Sequence, residues 1–195
     1  MVTKTMLLWA VVGVAVAFMP GAGLAGEVDT NVALFGKDPG VGKVYACYVR
    51  HYDAAHLAAH PKQNVRDMLL FVNSYVDDES GRQYSLGMGV KFRKSDTQFQ
   101  VEGGCGASAD GSHALNCGID CDGGRIDVSV KDANAILVSI PDGARTWDPE
   151  SGDEPSADGH FGDDDKLFRL DRTSLADCVP IIADDDIKAE IGATQ

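Results

Sequence analysis

Positive charge is scarce in this chain: 17 Lys and Arg stand against 30 Asp and Glu in 195 residues, a formal net charge of −13. Such a surface repels phosphate backbones and anionic lipid headgroups, so it argues against nucleic acid and acidic membranes as partners. It favours solubility, cationic ligands and divalent metals. A long apolar run is missing too. The run Met6–Met19 covers 14 residues, short of the ~20 that span a bilayer, so no stable membrane insertion is expected.

Several catalytic signatures are absent. There is no C-x-x-C, which argues against a thioredoxin-type redox site, and no G-x-S-x-G elbow. His56 and His60 are four apart, but Leu57 stands where the glutamate of H-E-x-x-H belongs. Gly36–Lys43 resembles a phosphate loop only superficially, because Lys37 replaces the first glycine and Val44 the Ser/Thr that would hold magnesium. Gly21, Gly23 and Gly26 spell G-x-G-x-x-G, yet the residues after them have no helical period, so a dinucleotide fold is not supported. Enzymatic activity is therefore not indicated, and no catalytic residue is nominated.

What is present begins with an export signal. Lys4 precedes the apolar run, Pro20 and Gly21 end it, and small residues follow to Gly26. This is the layout of a cleavable signal peptide, with cleavage expected after Ala25. The remaining chain carries a charge of −14, since Lys4 is the one charged residue removed, and its destination is the periplasm or the extracellular space. All five cysteines lie in that part: Cys47, Cys105, Cys117, Cys121 and Cys178. In an oxidising compartment they read as disulfides with one thiol left over, free or shared between chains.

From Lys43 onward the dominant pattern is period two, the mark of half-buried strands. Strands are expected at 43–52, 67–76, 84–93, 97–102, 115–121, 125–131, 135–140 and 166–170. The clearest is the third, where Tyr84, Leu86, Met88, Val90 and Phe92 alternate with small or charged residues. Gly103–Ser112 reads as a Gly/Ser/Ala loop, Asp122-Gly123-Gly124 as a hairpin turn, and Thr173 or Ser174 as the cap of a short helical turn carrying Cys178. The fold class is all-β, an antiparallel meander of about eight strands closing as a small barrel or a two-sheet sandwich. The chain divides into a signal peptide at 1–25, a leader loop at 26–42, a β domain at 43–180 and an acidic, frayed tail at 181–195.

Spacing limits the disulfides. On one continuous strand Cys117 and Cys121 would be about 13 Å apart, beyond the ~7 Å that a bridge allows. Their partners are expected among Cys47, Cys105 and Cys178, with Cys178 stapling the C-terminal turn to the sheet.

Three clusters are candidate sites. The acidic loop at 148–165 offers oxygens for calcium, with Asp158, Asp163 and Asp165 as nominated ligands beside Asp153, Glu154 and Asp164. Asp120, Asp122 and Asp127 bracket a turn that offers a second cation site or plain turn chemistry. His56 and His60 share a helical face and need a third ligand, His51 or Asp53, to hold zinc or copper. The reading taken forward is a disulfide-stabilised, non-catalytic binding or envelope-associated domain, its ligand and partners unknown. If the fold is a barrel, the row Tyr84–Phe92 lines its mouth for a small apolar ligand or is plain core. A calcium-dependent module and a hydrolase with its site at loop ends are the alternatives.

Overall fold

A computed structural model of the chain describes residues 31–109, 111, 114–151 and 159–193. The expected signal peptide and, in the acidic loop, Asp153, Glu154 and Asp158 lie outside the described residues. Eight strands run β1 Val44–His51, β2 Val65–Asp77, β3 Gly81–Phe92, β4 Phe99–Ala107, β5 Leu115–Ile119, β6 Arg125–Asp132, β7 Ala135–Ser139 and β8 Leu167–Thr173. Each pairs antiparallel with the next, and β8 returns to β1 through Cys47↔Thr173, Tyr48↔Arg172 and Val49↔Asp171. The sheet is therefore a closed barrel, which leaves no unpaired edge.

Period-two alternation dictates what faces inward. Tyr84, Leu86, Met88, Val90 and Phe92 of β3 are all buried in one core with Met68, Leu70 and Val72 of β2 and Val128, Val138 and Leu170 from the far wall. Eight strands enclose a space just wide enough for side chains to fill, and here they fill it. The row along β3 is thus core and not the lining of an open mouth.

Both barrel ends are covered. At the Tyr84 end a helical segment at 31–35 buries Leu34 and Phe35. The Tyr84 hydroxyl donates to Asn31 at 3.0 Å, and the Arg172 guanidinium donates to the carbonyls of Ala33 and Leu34 at 2.9 and 3.1 Å. Part of the expected leader loop is therefore a plug. At the Phe92 end, Phe161 sits edge-on to Phe92 at 5.6 Å and to Phe168 at 6.5 Å. Leu57 of the short helix α1, Ala54–Ala59, packs beside them.

Three local expectations are corrected. The Gly/Ser/Ala stretch from Gly103 to Ala107 is strand, because Tyr84↔Cys105 and Cys105↔Cys117 continue the ladder on both sides. A β-carbon at Gly103 would lie 2.3 Å from the Gly118 carbonyl oxygen, so glycine there permits close strand approach rather than looping. The β5–β6 turn comes earlier than Asp122-Gly123 suggests: Cys121 and Asp122 both take φ of 57°, which removes Cys121 from the strand. The C-terminal tail is also ordered into helix α3, Asp185–Ala193. The Asp184 carboxylate caps it by accepting from the Asp186 and Ile187 amides at 2.8 and 3.1 Å. Ile187 and Ile191, one turn apart, join an apolar cluster on the barrel's outer wall.

Cys178 ends helix α2, Leu175–Cys178, which Ser174 caps. It is bonded to Cys47, an outward-facing residue of β1, while Cys105 is bonded to Cys117 across β4 and β5. Cys178 does staple the C-terminal turn to the sheet, but through Cys47 and not through the 117/121 pair. Cys121 is the free, exposed thiol.

Candidate functional site

The C-terminal strap, from α2 through the 3-10 turn Val179–Ile181 to α3, crosses the outside of the barrel. Its seat is made by residues that lack side chains. A β-carbon at Gly89 would lie 2.5 Å from Ile181 Cγ2 and 2.4 Å from Gln98 Nε2, and one at Gly87 would lie 3.3 Å from the Ile181 carbonyl oxygen. The outward positions of β3 that read as a wet face are thus the bed of the strap.

Beside the strap lies a groove of about 530 Å³, open to solvent, within the ~300–1,000 Å³ usual for small-molecule sites. It runs over the outer wall from β1 to just beyond β5. One side is apolar: Tyr45 and Phe71, stacked with ring centroids 5.8 Å apart, with Ile182 and Ile187 of the strap and the half-exposed Tyr75 at the rim. The middle is shallow because Ser85, Gly87 and Gly104 carry little or nothing outward. The far side is acidic, formed by Glu102 of β4 and Asp120 just past β5, whose amide donates to the Glu102 carbonyl at 3.1 Å.

The charged groups around this groove differ in how they are engaged. Glu190 accepts from the Tyr45 hydroxyl at 2.8 Å and pairs with Lys43 at 3.9 Å. Burial and the Glu190 carboxylate push the Tyr45 phenol up, so it stays a neutral donor. Asp184 is occupied as the α3 cap. The Glu102 and Asp120 carboxylates take no hydrogen bond or ion pair among the described residues. Partial burial, and then the neighbouring Asp120, push the Glu102 carboxyl above its ordinary range.

The residues nominated from sequence fall elsewhere. Asp165 is fully buried, and its Oδ2 accepts from the amides of Asn64, Val65 and Gly162 at 2.7, 3.0 and 2.7 Å. It clasps the 62–65 loop to the 159–165 loop. Burial raises its pKa, against the pull of those three amides and Arg93. Asp163 is exposed and pairs with Lys62 at 3.7 Å. Among the described residues no three His, Cys, Asp or Glu side chains converge as a metal shell would. His56 and His60 do share a face, with rings stacked at 4.4 Å, but His56 Nε2 lies 3.0 Å from Gln63 Oε1. His51 is engaged by Asp67 instead. Asp127 is buried and holds Asn116 at 2.7 Å and Arg125 at 3.2 Å.

His51 and Asp67 form the one imidazole–carboxylate pair of this kind among the described residues, with Arg66 Nε donating to Asp67 at 2.9 Å. Burial raises the Asp67 pKa, but His51 and Arg66 outweigh it and hold the carboxyl below its usual value. The depression beside the pair, about 210 Å³, is lined by Lys91 and Gln98 and, among the described residues, by no serine, threonine or cysteine.

Sequence reasoning missed the groove because its defining feature is the absence of side chains at outward positions, together with a helix hidden in an acidic tail. The Ile187/Ile191 spacing after Asp184 was the available signal. Among the described residues no helix is long and apolar enough to cross a membrane. Compared with protein-family models, curated proteins and solved structures, the chain matches none of them.

Proposed function

We propose that this is an exported, non-catalytic binding protein that takes a small ligand in the groove between the barrel wall and the C-terminal strap. The observation that carries the reading is that groove itself: a concave, half-apolar surface of about 530 Å³ on a barrel whose lumen is already filled. A packed interior and two plugged ends leave the outer wall as the place for a ligand. Two disulfides hold the scaffold, and one anchors the strap that forms the groove's apolar side. Such bonds persist in oxidising compartments, which supports a periplasmic or extracellular location. Preorganised walls suit binding, since little ordering remains to oppose association.

Gly104 provides the test. It lines the groove, and a β-carbon there meets nothing within 4 Å. Gly104→Trp therefore fills the groove without pressing on the barrel. The neutral fluorophore N-phenyl-1-naphthylamine should bind the oxidised protein saturably, and the variant should bind it at least tenfold more weakly at an unchanged melting midpoint. Equal binding by the variant, or no binding by the wild type, overturns the reading.

A further inference from the structure

We infer that the groove selects an amphipathic cation, a small molecule with an apolar body and one positive charge, with Glu102 and Asp120 as the charge-recognising pair. This rests on the groove being the binding site. The strand order places the two halves of such a ligand. Tyr45 and Phe71 lie on β1 and β2, Gly87 lies on β3, and Glu102 lies on β4. At about 4.8 Å per strand the apolar and acidic sides are roughly 14 Å apart, a distance an alkyl chain with a charged head can bridge. Ser85, whose small side chain is held by Asn73, and Gly104, over which nothing lies within 4 Å, leave a shallow path between the two sides.

The charges argue in one direction. Of the acidic groups at the groove, Glu190 and Asp184 are already engaged by Tyr45, Lys43 and the α3 amides. Glu102 and Asp120 are not, and they repel each other. Two unpaired carboxylates, one of them half-buried, are unfavourable in the empty protein. A cation between them relieves both the repulsion and the unpaired burial. Among the described residues Lys43 is the one Lys or Arg lining the groove, and it pairs with Glu190. An anionic ligand would meet those carboxylates uncompensated.

The test compares three ligands of one chain length, all below their micellar concentrations: decyltrimethylammonium, decanol and decyl sulfate. Calorimetric titration of the oxidised protein at low salt should rank the cation first, about tenfold tighter than the alcohol, with the sulfate weakest. In Glu102→Gln/Asp120→Asn the cation-to-alcohol ratio should fall to near unity. If the three bind the wild type alike and Gly104→Trp abolishes all three, the groove stands and the charge selection fails. A ratio unmoved by the double variant also overturns the inference. If none of the three binds, the groove reading fails and takes this inference with it.

Discussion

Removing the two disulfides one at a time should cost different amounts, and the structure sets the ratio. Cys47–Cys178 closes 131 residues, and Cys105–Cys117 closes 12. On the loop-entropy account a bridge stabilises by restricting the unfolded chain, with a cost that grows with the logarithm of the loop. This gives about 5 kcal/mol for the first bridge and about 3 kcal/mol for the second. In a chain of this size 1 kcal/mol moves the melting midpoint by roughly 2–4 °C. Cys47→Ala/Cys178→Ala should therefore lower it by about 10–20 °C, and Cys105→Ala/Cys117→Ala by about 6–12 °C. Circular dichroism with heat and with urea measures both variants. A thiol titration of the native, unreduced protein should first return one reactive thiol per chain, from Cys121. A larger loss from the 105–117 pair, whose strands are already held by five ladder partners, would refute the loop-length reasoning.

Three further outcomes follow from the geometry. Asp165→Ala leaves one buried and two partly buried amides without their acceptor, and urea unfolding should show a loss of about 2–4 kcal/mol; a loss under ~1 kcal/mol would mean the clasp is not structural. Gly89→Ala drives a β-carbon against Ile181 and Gln98, so it should destabilise by about 1–3 kcal/mol and speed proteolysis within the strap, whereas a stabilised variant would show that the strap does not rest on that glycine. Glu102 has a raised pKa in the folded state. Its contribution is therefore fully present below pH ~4.5 and lost as the pH rises through the raised value. Glu102→Gln should accordingly be more stable than the wild type at neutral pH, with the gap closing below pH ~4.5, and a gap constant across that window would remove the burial argument.

Much of the barrel was legible in the chain, because alternation is a local signal. Tyr84 to Phe92 announce both the strand and the face that it buries. Closure was not legible, since Cys47↔Thr173 joins residues far apart in sequence and the same alternation suits a sandwich. Cys121 misled because Asp122-Gly123 draws the turn two residues late. Gly123 is there to avoid Ile119 Cγ2, 2.7 Å from where its β-carbon would be, rather than to supply positive φ. The acidic loop drew attention to Asp165 as a ligand; its Oδ2 holds three backbone amides, a role that the sequence did not signal. The groove left almost no mark, since glycine at Gly87, Gly89 and Gly104 looks the same whether a strand faces water or seats a strap.

The central claim is that binding occurs on the outer wall and not in the lumen. Its most direct test is amide chemical-shift mapping of the oxidised protein during titration with decyltrimethylammonium. The account predicts saturable shifts confined to Tyr45, Phe71, Gly87, Glu102, Gly104, Asp120 and the strap at Ile182 and Ile187. Shifts concentrated instead on Met88, Val128 and Val138 within the barrel, or on the clasp around Asp165, would contradict it.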